Sequence, residues 1–141
     1  MMYGKLHHIG IGVRDLKKTI ELYENILGFK LEKTINWDKE GLKAAIFPIG
    51  ETKLEFIEPS NPKGEIPLSI AEAVKLKDRI VHHLCFSVGN IEKATKKLMA
   101  KGFEVIIEEP QAEAGDKIAW LNESEVGGFM IELCQEGYEI K

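Results

Sequence analysis

The 141-residue chain has only four histidines, standing as two adjacent pairs, His7-His8 and His82-His83, with the pairs 75 positions apart. Two glutamates, Glu55 and Glu132, are separated by nearly the same interval, 77 positions. Imidazole nitrogen and carboxylate oxygen are ligands that Zn²⁺, Co²⁺, Ni²⁺, Mn²⁺ and Fe²⁺ all accept. Two of each around one octahedral ion leave two positions open for water or substrate oxygens. That openness marks catalytic sites, whereas structural zinc sites are closed and usually contain cysteine. Any one such residue on a strand is more often just hydrogen-bonded or facing solvent. Four that agree in repeat phase, strand face and residue type call for a common explanation.

The elements that must position them repeat as well. HHIGIGV at 7–13 lies over HHLCFSV at 82–88, and each is followed by a short polar residue, Asp15 or Asn90, suited to capping a helix. Apolar residues then recur at helical spacing (Leu16, Ile20, Tyr23, Ile26 and Leu27; Ile91, Ala94 and Leu98) and stop at Gly28 and Gly102. Three β-rich stretches follow each helix: FKLEKTI, LKAAIFPI and TKLEFIE, then FEVIIEE, KIAWL and FMIELCQ. Both halves therefore read β-α-β-β-β. The expected fold class is α+β, with two tandem βαβββ modules forming a concave, barrel-like mixed sheet around a metal site. One domain, 1–141, comprises module 1 at about 5–59, a linker at 60–80 and module 2 at about 81–135. The linker opens with the turn formers Asn61, Pro62 and Gly64 and holds a short helix near 68–76.

Strand parity selects the ligands. Alternate side chains share a face, so Ile9, Ile11 and Val13 pack toward the module's helix while His8, Gly10 and Gly12 point away. In the second half Leu84, Phe86 and Val88 pack, and His83, Cys85 and Ser87 point away. The closing strands pack Leu54 and Phe56, then Phe129, Ile131 and Leu133, leaving Lys53, Glu55 and Ile57, then Met130, Glu132 and Cys134, on the opposite face. His8, Glu55, His83 and Glu132 are thus the candidate metal ligands, whereas His7 and His82 share a face with the core. Cys85 and Cys134, outside any C-x-x-C pair, read as buried reduced thiols lining the ligand face. Lys53 reads as a rim lysine, and Trp37 and Trp120, at strand boundaries, as pocket lining or, at least as readily, as edge packing.

Composition excludes other classes. A net charge of −4 argues against a nucleic-acid partner. No apolar run approaches the roughly 20 residues of a membrane helix, and MMYGKLHHIG lacks a targeting pattern, so a cytoplasmic location is expected. The charged helix faces (Arg14, Lys17, Lys18 and Glu21; Glu92, Lys93, Lys96 and Lys97) read as solvated surface.

The stretches HHIGIGVRDLKKTIELYENILGFKLE, TKLEFIEP, VHHLCFSVGNIEKATKKLMAKGFEVI and GGFMIELCQ together resemble the vicinal oxygen chelate (glyoxalase/bleomycin-resistance/dioxygenase) superfamily, most of all its methylmalonyl-CoA epimerase branch. The likeness covers nearly everything except 60–80. It implies paired βαβββ modules, a homodimer and a divalent metal held by His8, Glu55, His83 and Glu132. Departures fall around the substrate: Lys39-Glu40-Gly41 stands where epimerases have Glu-x-Gly, Ala44 where one bacterial branch has a second base, Asn122-Glu123 where many have His-Pro, and Glu65-Ile66-Pro67-Leu68 in place of Ser-Pro-Ile. The expected reaction is proton abstraction next to the carbonyl of a small-molecule acyl thioester through a metal-stabilised enolate. Glu132 is the expected base and Glu55 its counterpart on the opposite face, with Glu40 a weaker candidate that reads as a solvated turn residue. A glyoxalase I-like lactoylglutathione lyase would use the same metal set, and a non-catalytic binding member or an iron dioxygenase are further alternatives.

Overall fold

The computed structural model describes residues 2–108, 117–121 and 129–136. In chain order its elements are β1 (Tyr3–Val13), α1 (Leu16–Ile20), β2 (Lys33–Trp37), β3 (Leu42–Ile49), β4 (Thr52–Pro59), α2 (Glu65–Leu76), β5 (Arg79–Val88), α3 (Ile91–Ala100), β6 (Val105–Glu108), β7 (Lys117–Leu121) and β8 (Met130–Gln135). The α+β class and the mixture of parallel and antiparallel pairs agree with the sequence reading. Asn122-Glu123 and the Gly127-Gly128 of the closing motif lie outside the described residues.

The chain divides into two compact units, His8–His82 and Met1–His7 with His83–Lys141, so that each cut falls inside a histidine pair. In the first, the strand order is β2-β3-β4-β1, with β3 antiparallel to both neighbours and β4 parallel to β1. In the second, the order is β5-β8-β7-β6, with β5 parallel to β8 and the other pairs antiparallel.

Each unit buries the face that parity assigns to its helix. Ile11, Val13, Leu16, Ile20, Tyr23, Phe47, Leu54 and Phe56 form one core, and Phe86, Val88, Ile91, Ala94, Leu98, Leu121, Ile131 and Leu133 belong to the other. Both helix starts are capped in duplicate. Asp15 Oδ1 accepts from Lys18 N at 3.0 Å and Asn90 Oδ1 from Lys93 N at 2.9 Å, satisfying donors that have no partner within the helix. Leu16 N also donates to Glu58 Oε1 at 3.4 Å and Ile91 N to Gln135 Oε1 at 2.9 Å. The side chain three places after each candidate carboxylate ligand thus ties its strand to its helix.

Three expectations about the elements and their packing need correction. The first helix does not carry its apolar stripe to Gly28: beyond Ile20 it widens into a π-helical segment over Glu21–Ile26, with Leu27 N donating to Leu22 O at 2.9 Å. The wider turn rotates the last residues off the core face, leaving Ile26 and Leu27 70% and 54% exposed. Phe129 is exposed rather than packed, because it stands ahead of the first β8 ladder pair. The linker helix is also longer than 68–76. It starts at Glu65 after Gly64, whose φ is +96°, and tolerates Pro67 because a first-turn residue has no intrahelical acceptor for its N–H.

The linker is anchored at both ends. Gly41, at φ +68°, offers its carbonyl to Ser60 N, Asn61 N and Ser60 Oγ at 2.9, 3.0 and 3.1 Å, and a Cβ there would stand 1.7 Å from Asn61 O. Arg14, expected as solvated surface, instead grips the far end: its guanidinium donates to Val74 O at 2.5 Å and Lys75 O at 2.8 Å and meets Asp78 at 2.8 Å. It thereby satisfies carbonyls at the C-terminal end of α2.

Candidate functional site

In the His8–His82 unit, parallel pairing sets Gly10 opposite Glu55. With no side chain on Gly10, the carboxylate has room to lean along the strand toward His8, two residues back. Glu55 Oε2 lies 3.6 Å from His8 Nε2, the two side chains being 15% and 8% exposed. The other unit repeats the construction: Cys85 stands opposite Glu132, and His83, again two residues back, has its Nε2 3.9 Å from Glu132 Oε1, with side chains 2% and 6% exposed.

Both separations are too long for a hydrogen bond. Both fall within the about 4.2 Å that two donors, each about 2.1 Å from one ion, can span. The donor types and spacing in each couple therefore fit a shared divalent cation. A cation would also compensate for burying carboxylates that otherwise lose hydration.

The neighbouring histidines have different surroundings. His82 is buried and 2.8 Å from Ser69 Oγ, whose hydroxyl lies 2.6 Å from Ile66 O and donates to it. This contact anchors α2 to the strand that carries His82. His7, expected on the core-packing face, instead lies near Cys85 and Cys134 and is 3.7 Å from Glu136. Cys85 and Cys134 are both buried and free of disulfide. Burial pushes the Cys85 thiol far up, reinforced by the neighbouring Cys134 sulfur and Glu132 carboxylate.

The remaining candidates separate clearly. Lys53 is a rim residue, 3.4 Å from Glu32. Glu40 sits half-buried in the turn before Gly41, and Ala44 is fully buried. Trp120, for which pocket lining and edge packing both stood open, is buried, opposite Glu132 in the β7–β8 ladder, and edge-on to His83 with ring centroids 4.8 Å apart. It restricts the imidazole on one side. The sequence shows only that Trp120 stands at a strand boundary; strand pairing reveals the contact.

Duplicated βαβββ units with one imidazole–carboxylate couple apiece define the class of protein: the chain belongs to the Glyoxalase/Bleomycin resistance protein/Dioxygenase superfamily, whose model matches residues 5–133. More particularly, it is 31% identical over 133 residues to the mitochondrial methylmalonyl-CoA epimerase of Homo sapiens, covering 94% of this chain and 74% of that one. An ethylmalonyl-CoA/methylmalonyl-CoA epimerase of Cereibacter sphaeroides is 28% identical over 136 residues, covering 95% and 99%. Among solved structures, a variant of Streptomyces coelicolor methylmalonyl-CoA epimerase in complex with 2-nitronate-propionyl-CoA superposes with a TM-score of 0.82 at 24% identity, over 96% of this chain and 99% of that one. The fold is shared, and these named relatives are epimerases, hence enzymes.

Proposed function

We propose that this chain is a divalent-metal-dependent epimerase acting next to the carbonyl of an acyl-CoA thioester of the methylmalonyl-CoA type. The observation that carries this reading is the repeated couple: in both units a buried imidazole faces a carboxylate from the parallel neighbour at the same register offset. The names of the relatives supply the substrate class. His8, Glu55, His83 and Glu132 are the proposed ligands of one cation, with Co²⁺, Zn²⁺, Ni²⁺, Mn²⁺ and Fe²⁺ all suited to two imidazoles and two carboxylates. When bound, that cation supplies a Lewis acid for the oxygen beside the acidic carbon.

The protein's own groups do the rest. Glu132 takes the proton from C2, and Glu55 gives one back on the opposite face, which inverts the stereocentre. Trp120 holds the His83 ring so that Glu132 keeps its orientation. On the family resemblance the working form is a homodimer. No helix among the described residues is long and apolar enough to cross a membrane.

The test is to incubate Co²⁺-loaded protein in D₂O with methylmalonyl-CoA and, separately, with methylglyoxal and glutathione. Deuterium entering C2 of the first supports the epimerase. Product in the second reaction alone would move the assignment to lactoylglutathione lyase, and no reaction in either with metal bound would reject the substrate class. Glu132→Gln should slow exchange by about 10²–10⁴-fold, the usual contribution of a positioned base. A near-normal rate in that variant would reject its role.

A further inference from the structure

A second group of ligand atoms lies beside the His83–Glu132 couple and takes no part in the proposed reaction. His7 on β1, Cys85 on β5 and Cys134 on β8 each present a donor atom, and these three atoms all lie within 4.8 Å of one another. The sulfurs come from parallel neighbours: Cys85 pairs with Glu132 and Cys134 with Ser87, so the two cysteines are diagonal on one face. Both thiols are buried, whereas the His7 side chain is 17% exposed. Glu136 lies at the open edge with its carboxylate 3.7 Å from His7 Nε2 and its side chain 42% exposed. Lys5 Nζ is 3.3 Å from that same carboxylate. The start of β1 is fastened nearby, with Lys5 N donating to Ser87 Oγ at 2.9 Å.

We infer that His7, Cys85 and Cys134 form a second, thiolate-containing metal site that takes a zinc-class cation, with Glu136 as its fourth ligand. Two sulfurs, one imidazole and one carboxylate form a set suited to a tetrahedral borderline-soft ion, unlike the oxygen-richer proposed catalytic set. Metal–sulfur bonds of about 2.3 Å and metal–nitrogen bonds of about 2.0 Å place tetrahedral donors about 3.5–3.8 Å apart, so ligation draws the group slightly inward. Two metal–sulfur bonds form as two S–H bonds break, and each thiol passes its proton to solvent. Glu136 must release Lys5 as it turns to the ion. The cation enters past His7 and Glu136, because both sulfurs are covered. Its effect is to tie the beginning of β1 to β5 and β8, adding stability in proportion to its binding.

The test uses the intact reduced protein titrated with Co²⁺ in the presence of a phosphine reductant. The expected result is two ions per chain and an intense thiolate-to-cobalt absorption in the near ultraviolet. Cys134→Ser should lose the band and bind one ion, and His7→Gln should weaken it. His8→Gln combined with Glu55→Gln, which removes proposed catalytic ligands, should abolish exchange at C2 yet retain the band, so failure of either site is distinguishable from failure of the other. A wild-type protein saturated with Co²⁺ that shows no thiolate band overturns the inference without recourse to any variant. A band that survives in both Cys134→Ser and Cys85→Ala also overturns it.

Discussion

The two units place the same couple in different surroundings. Around His8 and Glu55 stand Gly10 and the aliphatic Ile46, which is opposite Glu55 in the β3–β4 ladder. Around His83 and Glu132 stand Cys85 and the indole of Trp120. The first carboxylate keeps more than twice the exposure of the second, at 15% against 6%. The two neighbouring histidines diverge too, His82 meeting a serine of α2 and His7 meeting thiols and Glu136. Duplication preserves the ligand geometry because register and alternation are backbone properties. Everything that depends on which side chain fills the next space is free to differ. The sealed couple has the more constrained imidazole, and the open one has more room for a carboxylate to move.

The largest effect should come from removing the carboxylates one at a time. Glu132→Gln is expected to lose about 10²–10⁴-fold in C2 exchange. Glu55→Gln should affect one stereoisomer's exchange more than the other's. Equal losses with both isomers in both variants would erase the functional contrast between the units. Next come the packing residues opposite the carboxylates. Trp120→Ala should cost about 3–5 kcal/mol in a denaturant titration and weaken cobalt binding, whereas Ile46→Ala should cost about 2–5 kcal/mol with metal affinity kept. If Ile46→Ala weakens metal binding as much, Trp120 has no special hold on its histidine.

Ser69→Ala is a smaller change: losing the hydroxyl that meets His82 should cost about 1 kcal/mol and leave exchange at C2 intact. The smallest effect concerns the exposed ion pair at the start of α3. There Lys117 hydrogen-bonds Glu92 and holds its carboxyl below the usual range. A depressed folded-state value means this contact stabilises above the ordinary carboxylate pKa and stops doing so as pH falls through the lowered one. In Lys117→Met the Glu92 titration followed by NMR should move upward, with overall stability little changed.

Much of this was legible in the letters. Alternation in HHIGIGV and HHLCFSV separated His8 and His83 from their neighbours, and Asp15 and Asn90 marked helix starts that the structure caps. What stayed hidden depends on contacts between distant segments or on backbone hydrogen bonding that leaves apolar spacing untouched. The π-helical segment is of the second kind: Ile26 and Leu27 keep helical periodicity in sequence and lose it in space. The partners of His7, His82, Arg14 and Trp120 are of the first kind, since each is set by strand pairing or by how α2 seats. Pro67 hid the first turn of α2 because a proline there reads as a boundary when it is only a residue with no bond to lose.

Gly41 has an evolutionary consequence. Its contact with Asn61 rules out even a methyl group, so the hairpin and the departure of the following segment can drift only together. Insertions and deletions that alter the reach of this connection should accumulate downstream of that clamp, and substitutions at Gly41 should survive only alongside a rebuilt exit at Asn61.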